Sequence, residues 1–344
     1  MSRYAKAHEN PTGPGDDRPT ALEIVEDEGL IGKLHDKVFV VTGVSSGIGI
    51  ETMRALYATG GHVFGTVRDI GKGQRVVDEV TSSTTKGGRI KLIEMDLESL
   101  ASVKKGAEDI LQQTDKVNIL IANAGVMATP EGKTKDGFET QFGTNYVAHF
   151  YLFQLLKDSL LQSTTPDFPS RFVSVASTGH RAGPVRFDDM HFAQPQSYNE
   201  WLAYGQAKTA NIWLANEVER RYGASGLHAP SVHPGGIATG LFQHMDPEVT
   251  KGNMTPEVVA YMKNAEQGAA TSVYAALSTE WAHKGGRYLS NCVEQPPWAP
   301  RNGDKSNPVA VDHDGYEAWA YDPERERRLW EESLSMVGLR HKTD

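Results

Sequence analysis

The run KVFVVT, GVSSGIG, IETMRALYATG, which begins at Lys37, constrains the fold more than any other part of the chain. A β-branched apolar stretch stops at Gly43, glycines follow, and helical spacing then continues to a terminal glycine, which predicts a strand, a glycine loop and a helix. Glycines allow a tight turn and bring backbone amides close to an anion at the helix N-terminus, so the loop is a candidate pyrophosphate cradle. Its spacing is GxxxGxG rather than GxGxxG, and a glycine cluster alone also serves ordinary turns.

The same alternation recurs downstream. HVFGTV, RIKLIEMD, VNILIANA, RFVSVAS and LHAPSVH are apolar runs separated by helical stretches such as SLASVKKGAEDILQQT. Only crossover helices join parallel neighbours, so this pattern predicts an α/β, Rossmann-like, doubly wound parallel sheet of about seven strands with helices on both faces. The expected division is an N-terminal extension (1–34), a catalytic domain (35–295) and a C-terminal extension (296–344). Residues 1 to about 30 carry Pro, Gly and acids without periodicity, which reads as a flexible or surface-wrapping arm rather than a packed element. The sheet signal ends after Tyr288; a Pro-rich loop and a charged helix carrying Trp330 and Leu334 then wrap the core.

A formal charge of −9 leaves no broad basic surface for a nucleic acid. The single cysteine, Cys292, cannot close an intrachain disulfide or build a structural zinc site, and His180, His191, His233 and His244 are scattered, so no metal is expected. The N-terminus lacks an apolar signal core and no long apolar run is present; no membrane span and a cytoplasmic location are the expectations.

Polar and glycine residues gather at the predicted strand ends, where ligands of such sheets bind. Asp96 and Leu97 follow the third strand, and Asn123, Ala124 and Gly125 follow the fourth. Ser177 ends the fifth; Ser174 falls in the opposite register or the core, and Thr178 already lies in the loop. Pro234, Gly235, Gly236, Ile237, Ala238 and Thr239 follow the sixth strand. Tyr204 and Lys208 are four residues apart in a helical pattern and share a face. Taken singly, these are also plain turn residues or a solvated helix pair.

Together and in this order, the motifs resemble the short-chain dehydrogenase/reductase family over roughly residues 35–295. The fingerprint TGxxxGIG is matched by Thr42, Gly43, Gly47, Ile48 and Gly49, and NAG, the serine, YxxxK and PG follow. SVASTGH, AYGQAKTANI and VHPGGIATGL are similar to the branch containing retinol dehydrogenase-like enzymes and fungal secondary-metabolite reductases. The resemblance implies hydride transfer between a nicotinamide cofactor and a carbonyl or alcohol. Gly43, Ser45, Ser46, Gly47, Ile48 and Gly49 would hold the pyrophosphate, Asp96 and Leu97 the adenine side, and Asn123, Ala124 and Gly125 the next section. Pro234, Gly235, Ile237 and Thr239, with Tyr204 and Lys208, would bind the nicotinamide half.

Val67 stands where NAD-preferring relatives carry an acid, and Arg68 follows it; a guanidinium there suits a 2′-phosphate, so the expected cofactor is NADP(H). The competing reading is a solvated arginine near Asp69. The implied catalytic set is Asn145, Ser177, Tyr204 and Lys208. Tyr204 would be the general acid/base with its pKa lowered by Lys208 and the charge of oxidised nicotinamide, Ser177 would hold the substrate oxygen, and Asn145, in an amphipathic helix, would support a water-linked proton path. Met190, Phe192, Tyr198, Trp201, Phe242 and Met245 are candidate walls for a small lipophilic substrate. The alternative is a catalytically silent NADP(H)-binding scaffold or sensor; a homo-oligomer is open in both cases.

Overall fold

The computed structural model describes residues 2–83, 87–299 and 314–339. The first helix, α1 (Ala21–Asp27), lies in the segment expected to be an unpacked arm. Thr20 accepts from the Glu23 amide while the Glu23 carboxylate accepts from the Thr20 amide, a reciprocal cap that fixes the helix start. Ile24 and Val25 are fully buried against the core, and Tyr4 packs edge-on to Tyr274 with its hydroxyl on Asp27. The arm is therefore a packed element; capping and two apolar residues outweigh its polar composition.

Strand β1 (Val38–Thr42) is buried throughout. Val38 and Val40 enter the apolar cluster on one face of the sheet and Phe39 and Val41 the cluster on the other, as a period of two requires. Then follow α2 (Ile48–Ala58), β2 (His62–Val67), α3 (Ile70–Ser83), β3 (Arg89–Glu94), α4 (Leu100–Leu111) and β4 (Ile119–Ala122). A short helix, α5 (Thr140–Phe142), runs through a π-turn at Gly143–Val147 into α6 (Ala148–Ser163), and β5 (Ser170–Val175) and the long α7 (Glu200–Tyr222) complete the central part.

The expected strand LHAPSVH is divided into β6 (Leu227–His228) and β7 (Ser231–His233), both paired with β5. Pro230 has no N–H to continue the ladder, which accounts for the gap. Helices α8 (Pro247–Asn253), α9 (Pro256–Tyr261) and α10 (Ala265–Leu277) precede β8 (Tyr288–Ser290) and β9 (Val293–Glu294). The sheet thus continues past Tyr288: Asn291 and Cys292, both at positive φ (54° and 56°), turn the chain into an antiparallel hairpin.

The strand order is β3-β2-β1-β4-β5-β7-β8-β9, parallel except for the last pair. Counting β6 and β7 as one interrupted strand, seven positions are parallel, the expected number. Helix α11 (Pro323–Met336) lies against α7, burying Leu329 and Trp330, with Trp330 edge-on to Phe150 and Ser333 Oγ 2.7 Å from Tyr146 Oη. Most of the Pro-rich loop before it, 300–313, lies outside the described residues. The order reverses between β1 and β4, which places a crevice beyond their carboxyl ends.

Candidate active site

A cleft of about 950 Å³ opens there. The glycine loop forms one wall because two of its positions admit nothing larger: Gly47 caps α2 at φ 57°, and a Cβ on Gly49 would stand 2.1 Å from the Gly43 carbonyl oxygen. Ser45, Ser46 and Ile48 line the same wall, facing Thr239, whose methyl lies 3.2 Å from the place a Gly47 Cβ would take.

Asn123 and Ala124 donate their amides to Thr42 Oγ1, both at 2.9 Å, and Asn123 Nδ2 donates to the Thr42 carbonyl at 2.8 Å. Asn123 Oδ1 is buried without a hydrogen-bond partner, and what fits a bound dinucleotide is the glycine loop at the N-terminus of α2, which lines the same cleft as Asn123 and Ala124. At the β2 and β3 ends, Arg68, Asp96 and Leu97 line the cleft. The Arg68 side chain is 70% exposed and its Nη1 lies 3.9 Å from Glu98, so little in the protein engages its charge; Asp96 is held by Lys135 at 2.6 Å. Lys72, which no sequence motif marks, lines the cleft beside Arg68.

Tyr204 and Lys208 project from α7 into the opposite end, with Lys208 Nζ 5.6 Å from the phenol ring centre. Lys208 Nζ donates to the Val175 carbonyl at 2.9 Å. Ser177 lines the cleft, accepting from the Gly179 amide at 3.0 Å, whereas Ser174 turns away to the Asn211 carbonyl as expected. Gly179 was not foreseen: a Cβ there would stand 2.5 Å from Tyr204 Cε1, so the glycine makes the room in which the ring lies. Burial pushes Tyr204 up to about 12, with a Ser177 hydrogen bond acting against it, and pushes Lys208 down to about 8. In the protein alone desolvation dominates and only Ser177 acts to lower the phenol; the expected lowering joins Lys208 with oxidised nicotinamide.

Asn145 lies in the π-turn rather than in regular helix. Its amide pairs on both sides with Val126, Oδ1 accepting at 2.8 Å and Nδ2 donating at 2.9 Å. The point where a Gly125 Cβ would stand is 3.1 Å from Asn145 Oδ1 and 3.6 Å from Lys208 Nζ, so the two residues adjoin. The Asn145 carbonyl oxygen meets His149 Nδ1 at 2.9 Å, and His149 Nε2 meets Thr42 Oγ1 at 2.9 Å. Thr42 Oγ1 already accepts two amides, so its proton goes to Nε2, which makes Nδ1 the donor to Asn145. His149 was missed in the sequence although it follows Asn145 by four residues.

Residues 37–184 match the family described as "short chain dehydrogenase". The short-chain dehydrogenase/reductase prx1 of Penicillium rubens is 47% identical over 98% of this chain and 95% of its own length. The chain belongs to the short-chain dehydrogenase family. Human retinol dehydrogenase 13 is 34% identical over 88% of this chain and 85% of its own, in keeping with the retinol dehydrogenase-like branch. The solved Pseudomonas aeruginosa RhlG/NADP active-site complex shares the fold, with a TM-score of 0.61 and 21% identity over 76% of this chain and 96% of that one.

In this short-chain dehydrogenase the far end of the cleft is apolar. Trp201, Leu241, Phe242 and Met245 pack on Met127, Ala128 and Tyr204. Of the expected walls, Trp201, Phe242 and Met245 line the cleft, but Met190, Phe192 and Tyr198 do not. Tyr198 is turned to the Thr129 carbonyl at 2.7 Å, Phe192 packs on Tyr198, and Met190 packs against the core. Met127, Leu241, Val258 and Met262 take their place; Leu241 ends the VHPGGIATGL motif, and the other three carry no sequence signal.

Pro234, Gly235 and Ile237 line the cleft beside Thr239. Behind them lies Lys263, a buried residue the sequence did not mark, whose Nζ donates to Asn291 Oδ1 at 2.7 Å and the Pro234 carbonyl at 3.3 Å. Burial holds it down at about 8. Among the described residues no group of three His, Cys, Asp or Glu is placed to hold a metal, and no helix is long and apolar enough to cross a membrane.

Proposed function

We propose that this oxidoreductase uses NADP(H) and moves a hydride to or from a carbonyl or alcohol carbon of a small lipophilic molecule, with Tyr204 as general acid/base. The observation that carries the reading is the convergence of Ser177, Tyr204 and Lys208 on the cleft that the glycine cradle also lines. The cofactor, when bound, supplies or accepts the hydride.

Gly43, Ser45, Ser46, Gly47, Ile48 and Gly49 would hold its pyrophosphate at the N-terminus of α2. Asp96 and Leu97 would border the adenine, Asn123, Ala124 and Gly125 the middle section, and Pro234, Gly235, Ile237 and Thr239 the nicotinamide. The preference for NADP(H) rests on the exposed guanidinium of Arg68, whose ion pair with Glu98 is long, at 3.9 Å. Tyr204, held protonated by burial, gives its proton to the substrate oxygen in reduction. Ser177 Oγ accepts from Gly179, and its proton, which its hydrogen bond to Tyr204 engages in the protein alone, would turn to that oxygen. Lys208 spends one donor on Val175 and has others for a ribose. The apolar far wall suits a lipophilic partner without charge.

Loss of NADPH absorbance with a panel of ketones, aldehydes and quinones tests the assignment. Oxidation by any of them supports it; tight NADPH binding without oxidation by any supports the scaffold instead.

A further inference from the structure

The N-terminal arm reaches the cleft wall through one buried side chain. The Arg18 side chain is 3% exposed, although guanidinium groups normally stay in water. Its Nε donates to Asp16 Oδ1 at 2.7 Å, and its two Nη groups donate to the carbonyls of Tyr261 at 3.0 Å, Met262 at 2.6 Å and Gly13 at 3.0 Å. Tyr261 ends α9 and Met262 follows it, so the guanidinium sits on helix-terminal carbonyls that have no partner within the helix and carry its partial negative charge.

Helix α9 has only six residues and cannot hold its own position. Its other side matters to the site: Thr255, Glu257, Val258 and Met262 line the cleft. Met262 is the pivot, since its carbonyl takes the short bond from Arg18 while its side chain faces the cleft. The next residue continues the link. The Lys263 amide donates to the Gly236 carbonyl at 2.9 Å, and Lys263 Nζ reaches the Pro234 carbonyl.

The arm is itself fastened. Gln267 Nε2 donates to the carbonyls of Asp16 and Arg18, and its Oε1 accepts from the Gly15 amide, so the start of α10 grips residues 15–18. A continuous hydrogen-bonded path therefore runs from the arm through α9 to the loop after β7.

We infer that Arg18 is a positioning residue for the substrate wall: it fixes the end of α9 and with it the cleft-lining Val258 and Met262. The inference rests on the proposed function for its assignment of that wall to the substrate. The test compares wild type with Arg18→Met, which keeps the bulk and removes the donors, and Arg18→Lys, which keeps the charge but cannot span the carbonyls. Peptide-resolved hydrogen exchange is expected to rise about tenfold across 256–263 in Arg18→Met, and less in Arg18→Lys, while β1 and α2 are unchanged.

With decanal as the probe, KM is expected to rise about tenfold, with kcat and the NADPH dissociation constant nearly constant. Unchanged exchange across 256–263, or faster exchange spread equally over β1 and α2, overturns the inference. If Arg18→Met does not fold, Arg18→Lys decides the question by the same pattern of exchange and KM. A wild-type chain inert towards decanal and every other member of the carbonyl panel overturns the proposed activity alone, and the exchange pattern then decides the role of Arg18.

Discussion

Lys208 lies one helical turn beyond Tyr204, and its ammonium, 5.6 Å from the phenol ring centre, is tied to the Val175 carbonyl rather than to the phenol oxygen. Burial governs both groups, taking the phenol up to about 12 and the ammonium down to about 8. At neutral pH the pair is a phenol beside an ammonium, a proton donor with a neighbour that favours the phenolate left behind once the proton has gone.

Tyr204→Phe removes the donor and keeps the ring that fills the space beside Gly179. Turnover is expected to fall by about 10²–10⁴-fold, the usual contribution of general acid catalysis. NADPH affinity, measured by fluorescence titration, stays within about twofold. A variant with near wild-type turnover refutes the role given to Tyr204.

Arg68 offers its charge at the β2 end of the cleft, with Glu98 no nearer than 3.9 Å. Arg68→Asp turns an attractive site for a 2′-phosphate into a repulsive one. The ratio of kcat/KM for NADPH to that for NADH is expected to drop by about 10–100-fold, as for loss of a charge-assisted hydrogen bond. Since the residue is exposed, the drop shrinks in high salt. An unchanged ratio assigns Arg68 to solvent.

The sheet is legible in the sequence because β-branched runs such as Val38–Thr42 carry their own signal, and the gathering of the strand-end residues round one cleft is legible because a parallel sheet brings those ends to one edge. The packing of the arm is harder to see, although Thr20 and Glu23 have the spacing of a reciprocal cap ahead of Ile24 and Val25. Polar composition over some thirty residues masks that short pattern. Lys263 and Arg18 are not legible at all, since what makes them matter is burial beside carbonyls distant in sequence. Tyr198 and Phe192 are misplaced by the sequence for a similar reason: nothing in the chain shows that Tyr198 turns to Thr129.

His149 joins Thr42 to Asn145, and burial, with the charge of Lys208, holds its imidazole down at about 4 against the hydrogen bond to Asn145. An unfolded histidine takes up a proton near pH 6.5. Between there and about pH 4 the unfolded chain holds the extra proton, so acidification favours unfolding. His149→Leu takes the acceptor from the Thr42 hydroxyl proton and the side-chain donor from the Asn145 carbonyl, at a cost of about 1–3 kcal/mol at pH 7. That deficit is expected to narrow towards pH 4.5, because the variant has lost this titration; urea denaturation at the two pH values measures it. A deficit independent of pH contradicts the neutral, buried assignment.

Gly179 and Gly183 differ in a way that isolates the placing of the phenol. A methyl on Gly179 would stand 2.5 Å from Tyr204 Cε1, 2.7 Å from Cδ1 and 3.3 Å from Ser177 Oγ, so the ring has to move. A methyl on Gly183, whose backbone is extended, meets only Leu202 Cδ2 at 3.9 Å. Displacing a catalytic group by about 1 Å costs on the order of 10²-fold in rate. Gly179→Ala is therefore expected to lose about that much in kcat while NADPH binding is retained, with about 1–3 kcal/mol lost to overpacking. Gly183→Ala keeps both rate and stability. Steady-state kinetics and urea denaturation on the two variants decide the matter, and an equal loss of kcat in both would mean that the turn as a whole, not the position of the Tyr204 ring, sets the rate.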